Sequence, residues 1–175
     1  DSSGGDSGDS GDSGGSGSTP GVFVISAITG STTEAGGTAT FTVNLKSQPS
    51  ANVSIAISSS DTTEGTVSPS SIMFSSSNWS TVQTVTVTGV DDTAVDGNQG
   101  YTIILGVASS SDSNYSGLDP ADVSVSNTDN DAAGITINSP GDNTTESGGS
   151  FTFTAKLNSQ PSSDVTIAIS SSDSS

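Results

Sequence analysis

The 175-residue chain has no cysteine, no histidine and no arginine, and its only cationic side chains are Lys46 and Lys156. Each absence removes a class of function. Without thiols there are no disulfides and no thiol nucleophile, so any stapling must come from elsewhere. Without imidazole, histidine-based acid–base catalysis and the Ser-His-Asp triad are excluded. A zinc site would have to use oxygen ligands alone, which that ion rarely accepts. Nineteen acidic residues against two basic ones give a net charge of −17. A nucleic-acid backbone or an anionic membrane surface would therefore be repelled. No apolar run approaches the length of a membrane span, so direct insertion as a helix is not expected. A two-carboxylate hydrolytic mechanism stays formally open. It needs an acid pair in a substrate cleft, and these acids fall in turns, so the expectation is a protein that is not an enzyme.

What remains is polar but not charge-dense. Ser and Thr make up about a third of the chain, hydrophobic residues 29% and charged residues 12%. The first nineteen residues, DSSGGDSGDSGDSGGSGST, read as a flexible, self-repelling tether and as a processed or trimmed start. Tethers of this kind accompany exported bacterial surface proteins, which points to an extracellular or cell-surface location. Downstream, apolar residues gather into short alternating runs. Period-2 patterning predicts strands over 22–27, 39–45, 52–58, 66–74 (broken), 81–89, 101–107 and 122–127. The expected fold is all-β, a seven-stranded antiparallel immunoglobulin-like sandwich. Its expected core is Phe41, Val43, Ile55, Ile57, Val85, Val87, Ile103, Leu105, Val123 and Val125, capped by Trp79 and Tyr101.

The chain also repeats itself. TTEAGGTATFTVNLKSQPSANVSIAISSSD at 32–61 nearly matches TTESGGSFTFTAKLNSQPSSDVTIAISSSD at 144–173, an offset of 112 residues. The match runs through turns as well as strands, and the period suits one sandwich domain. Three parts are therefore expected: the tether at 1–19, a complete module at 20–131, and an incomplete second module at 132–175. In the second, strands at 151–157 and 164–170 would lack partners and leave open edges. Three readings of that front stay open: a fragment of a longer array, completion by strands from another chain, or an unfolded segment.

The acids cluster. Glu34 precedes the second expected strand, Asp61 follows the third with Glu64 nearby, and Asp91, Asp92 and Asp96 follow the fifth. Asp129 and Asp131 follow the seventh. In an antiparallel sandwich these four segments converge on one pole, whereas the turns KSQPSA, SSSNW and GNQGY at the other carry no acid. Asp112, Asp119 and Asp122, in the excursion on that far side, are expected to be solvated loop charges. Taken singly, each acid is an ordinary turn former. As a set they repel one another unless a cation sits among them. Ca²⁺, which takes six to eight oxygens in flexible geometry, suits the pole better than Mg²⁺.

The pattern resembles the Calx-beta family, sandwich modules found in sodium–calcium exchangers, in integrin β4 and in tandem arrays on bacterial surface proteins. The phrases TTEAGGTATFTV and VTVTGVDD are closest to the bacterial repeat subtype. The resemblance covers 20–131 as one module and 132–175 as the front of another. It implies clustered Ca²⁺ held by Glu34, Asp61, Asp91, Asp92, the carbonyl of Ala94, Asp96 and the terminal run Asp129, Asn130, Asp131. Asp96 stands where the family has Glu, and Asn130 replaces a charge. The DTTEGTVSPSS stretch replaces the family's Gly-Ser-Asp-Tyr segment. The implied function is a calcium-binding structural module of a repeat-containing surface protein. Its partners would be neighbouring repeats or other copies of the chain, extending to a homopolymeric filament by strand complementation. The alternative is an adhesin or glycan-binding module, for which Trp79, Tyr101 and Tyr115 are the aromatic candidates. The four N-x-S/T sequons at Asn52, Asn78, Asn114 and Asn143 are no more than chance supplies in a chain so rich in Ser and Thr.

Overall fold

The computed structural model describes residues 21–172, apart from 140 and 142. The tether expected at 1–19 lies outside the described residues. Among these, the chain forms strands and no helix: β1 (Phe23–Ile25), β2 (Thr29–Thr33), β3 (Gly37–Leu45), β4 (Val53–Ser59), β5 (Gly65–Ser68) and β6 (Ser71–Phe74). They are followed by β7 (Gln83–Gly89), β8 (Gln99–Leu105), β9 (Ser109–Ser110), β10 (Val123–Thr128), β11 (Ile135–Asn138) and β12 (Thr154–Leu157).

Alternation explains the long strands. In β3, Ala39, Phe41, Val43 and Leu45 are buried while the intervening Thr and Asn face outward. β4, β7, β8 and β10 follow the same rule. One curled sheet contains β1 to β10, in the order β5-β7-β3-β2-β10-β8-β4-β6, with β1 against β3 and β9 against β4. The curl brings the β3/β7 half over the β4/β8/β10 half, and their inward residues form one core cluster. All ten expected core residues are in it, Tyr101 is buried among them, and Trp79 packs partly buried against it.

The architecture is thus a β-sandwich-like curled sheet, with differences from the expected seven antiparallel strands. The broken run at 66–74 is two strands on opposite edges: β5 pairs with β7 and β6 with β4. β9 and β2 were not expected. β2 joins the halves, running antiparallel to β3 and parallel to β10, so the sheet is mixed. Its register shifts between Gly30 and Thr33. Gly30 sits at φ 88°, a conformation open to glycine without strain, and the shift lets the strand leave β3 for β10.

Two expectations about the poles are corrected: the turn GNQGY lies at the acidic pole, where the Gly97 N–H donates to Asp129 Oδ2, and the other concerns Asp112 at the far pole. Asp112 is buried, not solvated. Its Oδ2 accepts the Ser50 N–H at 2.7 Å and its Oδ1 accepts the Asn114 N–H at 2.9 Å. These bonds hold its carboxyl below the usual aspartate range. Asp122 is exposed, but its Oδ1 accepts the Leu105 N–H at 2.9 Å.

The second repeat starts as the first does. β11 pairs with β12 with Ile135 opposite Leu157 and Ile137 opposite Ala155. In the first repeat Phe23 faces Leu45 and Ile25 faces Val43, the same register at the 112-residue offset. The Asn158 N–H donates to Gly134 O at 2.9 Å as the Lys46 N–H does to Val22 O. Residues 164–170 form no strand, and Val165, Ile167 and Ile169 are exposed. Of the expected strand at 151–157, only 154–157 pairs.

Gly65 is a tight point between core and pole. A Cβ there would overlap the ring and hydroxyl of Tyr101, which is tied to Thr32 Oγ1 at 3.1 Å. Gly65→Ala should therefore destabilise by about 1–3 kcal/mol as an overpacked site. Thermal unfolding followed by circular dichroism should show the midpoint falling by about 4 °C or more.

Candidate metal centre

Four segments meet at one end of the sandwich. The β2–β3 turn carries Glu34, and its N–H donates to Thr128 O at 3.1 Å, which docks the turn on the end of β10. The β4–β5 turn carries Asp61 and Glu64. The β7–β8 loop carries Asp91, Asp92 and Asp96. The chain leaving β10 carries Asp129, Asn130 and Asp131.

Six carboxylates form two triads, Glu34/Asp129/Asp131 and Glu64/Asp92/Asp96. Within each, one ligand oxygen per residue lies within 4.8 Å of the others. Glu34 and Glu64 are buried, at 3% and 8% exposure. The loops reach this arrangement through their own hydrogen bonds. Asp129 Oδ1 accepts the Asp131 N–H and its Oδ2 the Gly97 N–H, both at 2.7 Å. Glu34 Oε2 accepts the Asn130 N–H at 2.9 Å, and Asp92 Oδ1 accepts the Ala94 N–H at 2.7 Å.

The electrostatics are one-sided. The Asn130 N–H pulls the Glu34 pKa down, but burial and the charges of Asp129, Asp92 and Asp131 together raise it. Burial raises Glu64 first, opposed by the Asn127 amide and reinforced by Asp96, Asp61 and Asp92. Burial also raises Asp131, with Asp129, Asp91, Asp92 and Asp96 adding to it. Asp129 moves the other way, lowered by the N–H groups of Asp131 and Gly97. Every charge acting on the three raised groups is negative. The two triads are thus one electrostatic unit, since the β7–β8 loop charges act on both.

The sequence-derived residues divide clearly. Glu34, Asp92, Asp96, Asp129 and Asp131 are brought together. Asp91 is exposed and accepts the Asn130 side-chain amide at 3.2 Å. Asn130 holds Glu34 through its backbone and Asp91 through its side chain, a positioning role. Ala94, half-buried, orients Asp92 through its N–H and forms a parallel bridge to Gln160. Asp61 lies outside both triads: its Oδ1 accepts the Thr63 N–H at 2.9 Å and the Thr63 hydroxyl at 2.6 Å, which lowers its pKa.

Two residues were not among the expected ligands. Glu64, read only as a neighbour of Asp61, joins a triad that Asp61 does not. Asn127, 1% exposed, donates from Nδ2 to Val90 O at 2.9 Å and to Glu64 Oε2 at 3.4 Å. Its signal was visible, because it continues the inward phase of Val123 and Val125 with a polar side chain.

The donor set fits a hard divalent cation: oxygen only, mostly carboxylate, with no nitrogen or sulfur ligand. Asp131 Oδ2 is buried without a hydrogen-bond partner, which is the condition a bound cation would relieve. Such an ion would take carboxylate oxygens of Glu34, Asp129 and Asp131 in one triad and of Glu64, Asp92 and Asp96 in the other.

No family model matches the chain, and no curated protein does. Among solved structures the chain is similar to WR4, an MSP family member of C. elegans, at 12% identity and a TM-score of 0.37. The match covers 60% of this chain and 96% of that one. A likeness at that level carries no argument about fold or function.

The pKa directions give a signed expectation for the metal-free protein. Glu34, Glu64 and Asp131, raised on folding, make the native state bind more protons than the unfolded one above the ordinary carboxylate range. Stability is then lost as pH rises through that window. Asp129 and Asp112, lowered, contribute stability that is present above their unfolded pKa and lost as pH falls. Calorimetric midpoints in chelator should therefore peak at mildly acidic pH and decline toward neutrality. A midpoint rising steadily from about pH 4 to about pH 7 would contradict the assignment.

Proposed function

We propose that this chain is a non-enzymatic, extracellular calcium-binding module of Calx-beta type, built as an immunoglobulin-like sandwich within a repeat-containing surface protein. The observation that carries the reading is the pair of carboxylate triads drawn from four separate segments, two of whose members are buried with only negative charges acting on them. Ca²⁺ is preferred over Mg²⁺ because its larger shell accommodates several protein carboxylates at once. Its role would be structural. It would neutralise the pole, lock the β7–β8 loop and stiffen the junction to the next repeat.

The junction supports the last point. The Gln160 N–H, in the turn after β12, donates to Thr93 O at 2.7 Å. The loop that would hold the ion is thus the same loop that touches the second repeat. Partners on this reading are neighbouring repeats and other copies of the chain, with filament growth by strand complementation as its furthest extension. The adhesin alternative draws no support from its three aromatic candidates, since Tyr101 and Tyr115 are buried and Trp79 packs on the core.

Differential scanning calorimetry of the chain in millimolar Ca²⁺ and in chelator tests the reading. Ion at a hundredfold excess over its Kd should stabilise the fold by about 2.7 kcal/mol per site, and identical midpoints would dismiss the calcium role. Glu64→Gln should lose the part of the Ca²⁺-induced gain that belongs to its own triad, about half, while leaving the chelator midpoint at neutral pH unchanged or higher, because it deletes a buried, repelled charge.

A further inference from the structure

The β7–β8 loop holds the one Asp–Gly or Asn–Gly pair in the chain, Asp96–Gly97. A glycine after an aspartate leaves the main-chain nitrogen unshielded by any side chain. That nitrogen can then attack the preceding carboxyl and close a five-membered ring. Both residues are exposed and lie outside any strand. Gly97 sits at φ 76°, a conformation open to glycine, with nothing within 4 Å of the place a Cβ would take. Ring closure therefore meets no obstruction on that side.

The peptide between the two residues is hydrogen-bonded at both ends. Its carbonyl, Asp96 O, accepts the Gln99 side-chain amide at 3.0 Å. Its N–H donates to Asp129 Oδ2 at 2.7 Å, a short, charge-assisted bond. A donor on the amide oxygen and an anionic acceptor on the N–H both ease release of the proton that the nitrogen must shed to attack. The same pair also serves both triads. The Asp96 carboxylate belongs to the Glu64/Asp92/Asp96 set, and the Gly97 N–H holds Asp129 of the other.

We infer that Asp96–Gly97 is a self-modification site, restrained by an ion at the pole and able to dismantle the pole when the ion is absent. Gly97 N bonds to Asp96 Cγ, and the N–H proton leaves with the carboxyl hydroxyl as water, giving a succinimide. Water then opens the ring. Attack at Cγ restores aspartate, whereas attack at the main-chain carbonyl carbon leaves isoaspartate, with the main chain now running through Cγ. The product has one more carbon in its main chain and one fewer in its side chain. Its carboxylate is drawn out of one triad, and the Gly97 N–H is shifted off Asp129 in the other. Protection, which rests on the calcium reading above, comes from a cation that binds the Asp96 carboxylate and keeps it from the nitrogen. Only ion-free protein then reacts.

The test is a warm incubation of the full chain at neutral pH over several weeks, in chelator and in Ca²⁺. Peptide mass spectrometry with electron-transfer fragmentation reads isoaspartate in place of Asp96, and calorimetry reads the Ca²⁺-induced gain before and after. In chelator, isoaspartate should accumulate and the gain shrink in proportion. With Ca²⁺ at a hundredfold excess over its Kd, about one molecule in a hundred is ion-free, so the rate should fall about a hundredfold. Asp96→Glu keeps the carboxylate but needs a larger, slowly formed ring. It should respond to Ca²⁺ when fresh and keep that response through incubation in chelator. The proposal is overturned if the folded chain in chelator forms no isoaspartate while the urea-unfolded chain does, or if Asp96→Glu loses its gain as fast as the parent. A fresh chain that responds to Ca²⁺ yet isomerises equally fast with and without it overturns this proposal alone. A fresh chain whose midpoint ignores Ca²⁺ overturns the calcium reading as well.

Discussion

Repulsion among carboxylates, unrelieved by any cationic side chain, is the constraint on which the pole depends. The core could be assembled from Val, Ile and Phe in many ways. The pole could not, because Glu34 and Glu64 are taken out of water beside further negative charge. The chain meets this partly with backbone donors. The N–H groups of Asn130, Gly97, Asp131 and Ala94 each point at a carboxylate oxygen. These bonds fix the loops in place but carry no full charge, so two glutamates and Asp131 stay raised while Asp129 is lowered. The division separates residues solvated by their own loop from residues that await something else.

The same balance links the pole to the fold. Glu34 is placed by the turn that ends β2, and β2 is the strand that joins the two halves of the sheet. Glu64 is placed by Gly65, which lies against Tyr101, whose hydroxyl reaches Thr32 on β2. Asn127 on β10 ties Glu64 to the start of the β7–β8 loop through Val90. Changes in the core near Tyr101 and changes at the pole are therefore expected to couple, as neighbours sharing one network do.

Much of this was legible in the residues. Alternation named the core because Phe41, Val43, Val85 and Ile103 sit in strands with one dry face, where period 2 is a direct physical signal. β2 was invisible for the converse reason. TGSTT has no apolar residue, and its place comes from backbone pairing to two neighbours. The split between β5 and β6 was hidden too, since each is only four residues long and the pattern does not show which edge it joins. At the site, the convergence of four segments followed from topology alone, but the choice between Asp61 and Glu64 did not. Asp61 begins an Asp-x-Thr turn and spends its carboxylate on Thr63, a local bond of the kind aspartate favours. Three residues on, Glu64 has the longer side chain and no local donor, so it turns inward. Asp112 was misjudged on the same principle: DSN is also a turn-forming run, and its carboxylate faces Ser50 across the chain rather than water.

The parallel pairing of β2 with β10 has a mechanical consequence. The chain enters the sandwich through β1 and β2 and leaves it from β10 at the acidic pole, so its two ends emerge at opposite poles. A pull on the two ends would slide β2 and β10 past each other, loading their hydrogen bonds together rather than peeling them one at a time. The pairs that share this load, Asn127–Thr32 and Thr128–Thr33, adjoin Glu34 and Asp129 in the chain. Whatever occupies the acidic pole therefore sits at the grip of the tensile element, and its loss would be felt as slack along the line of force.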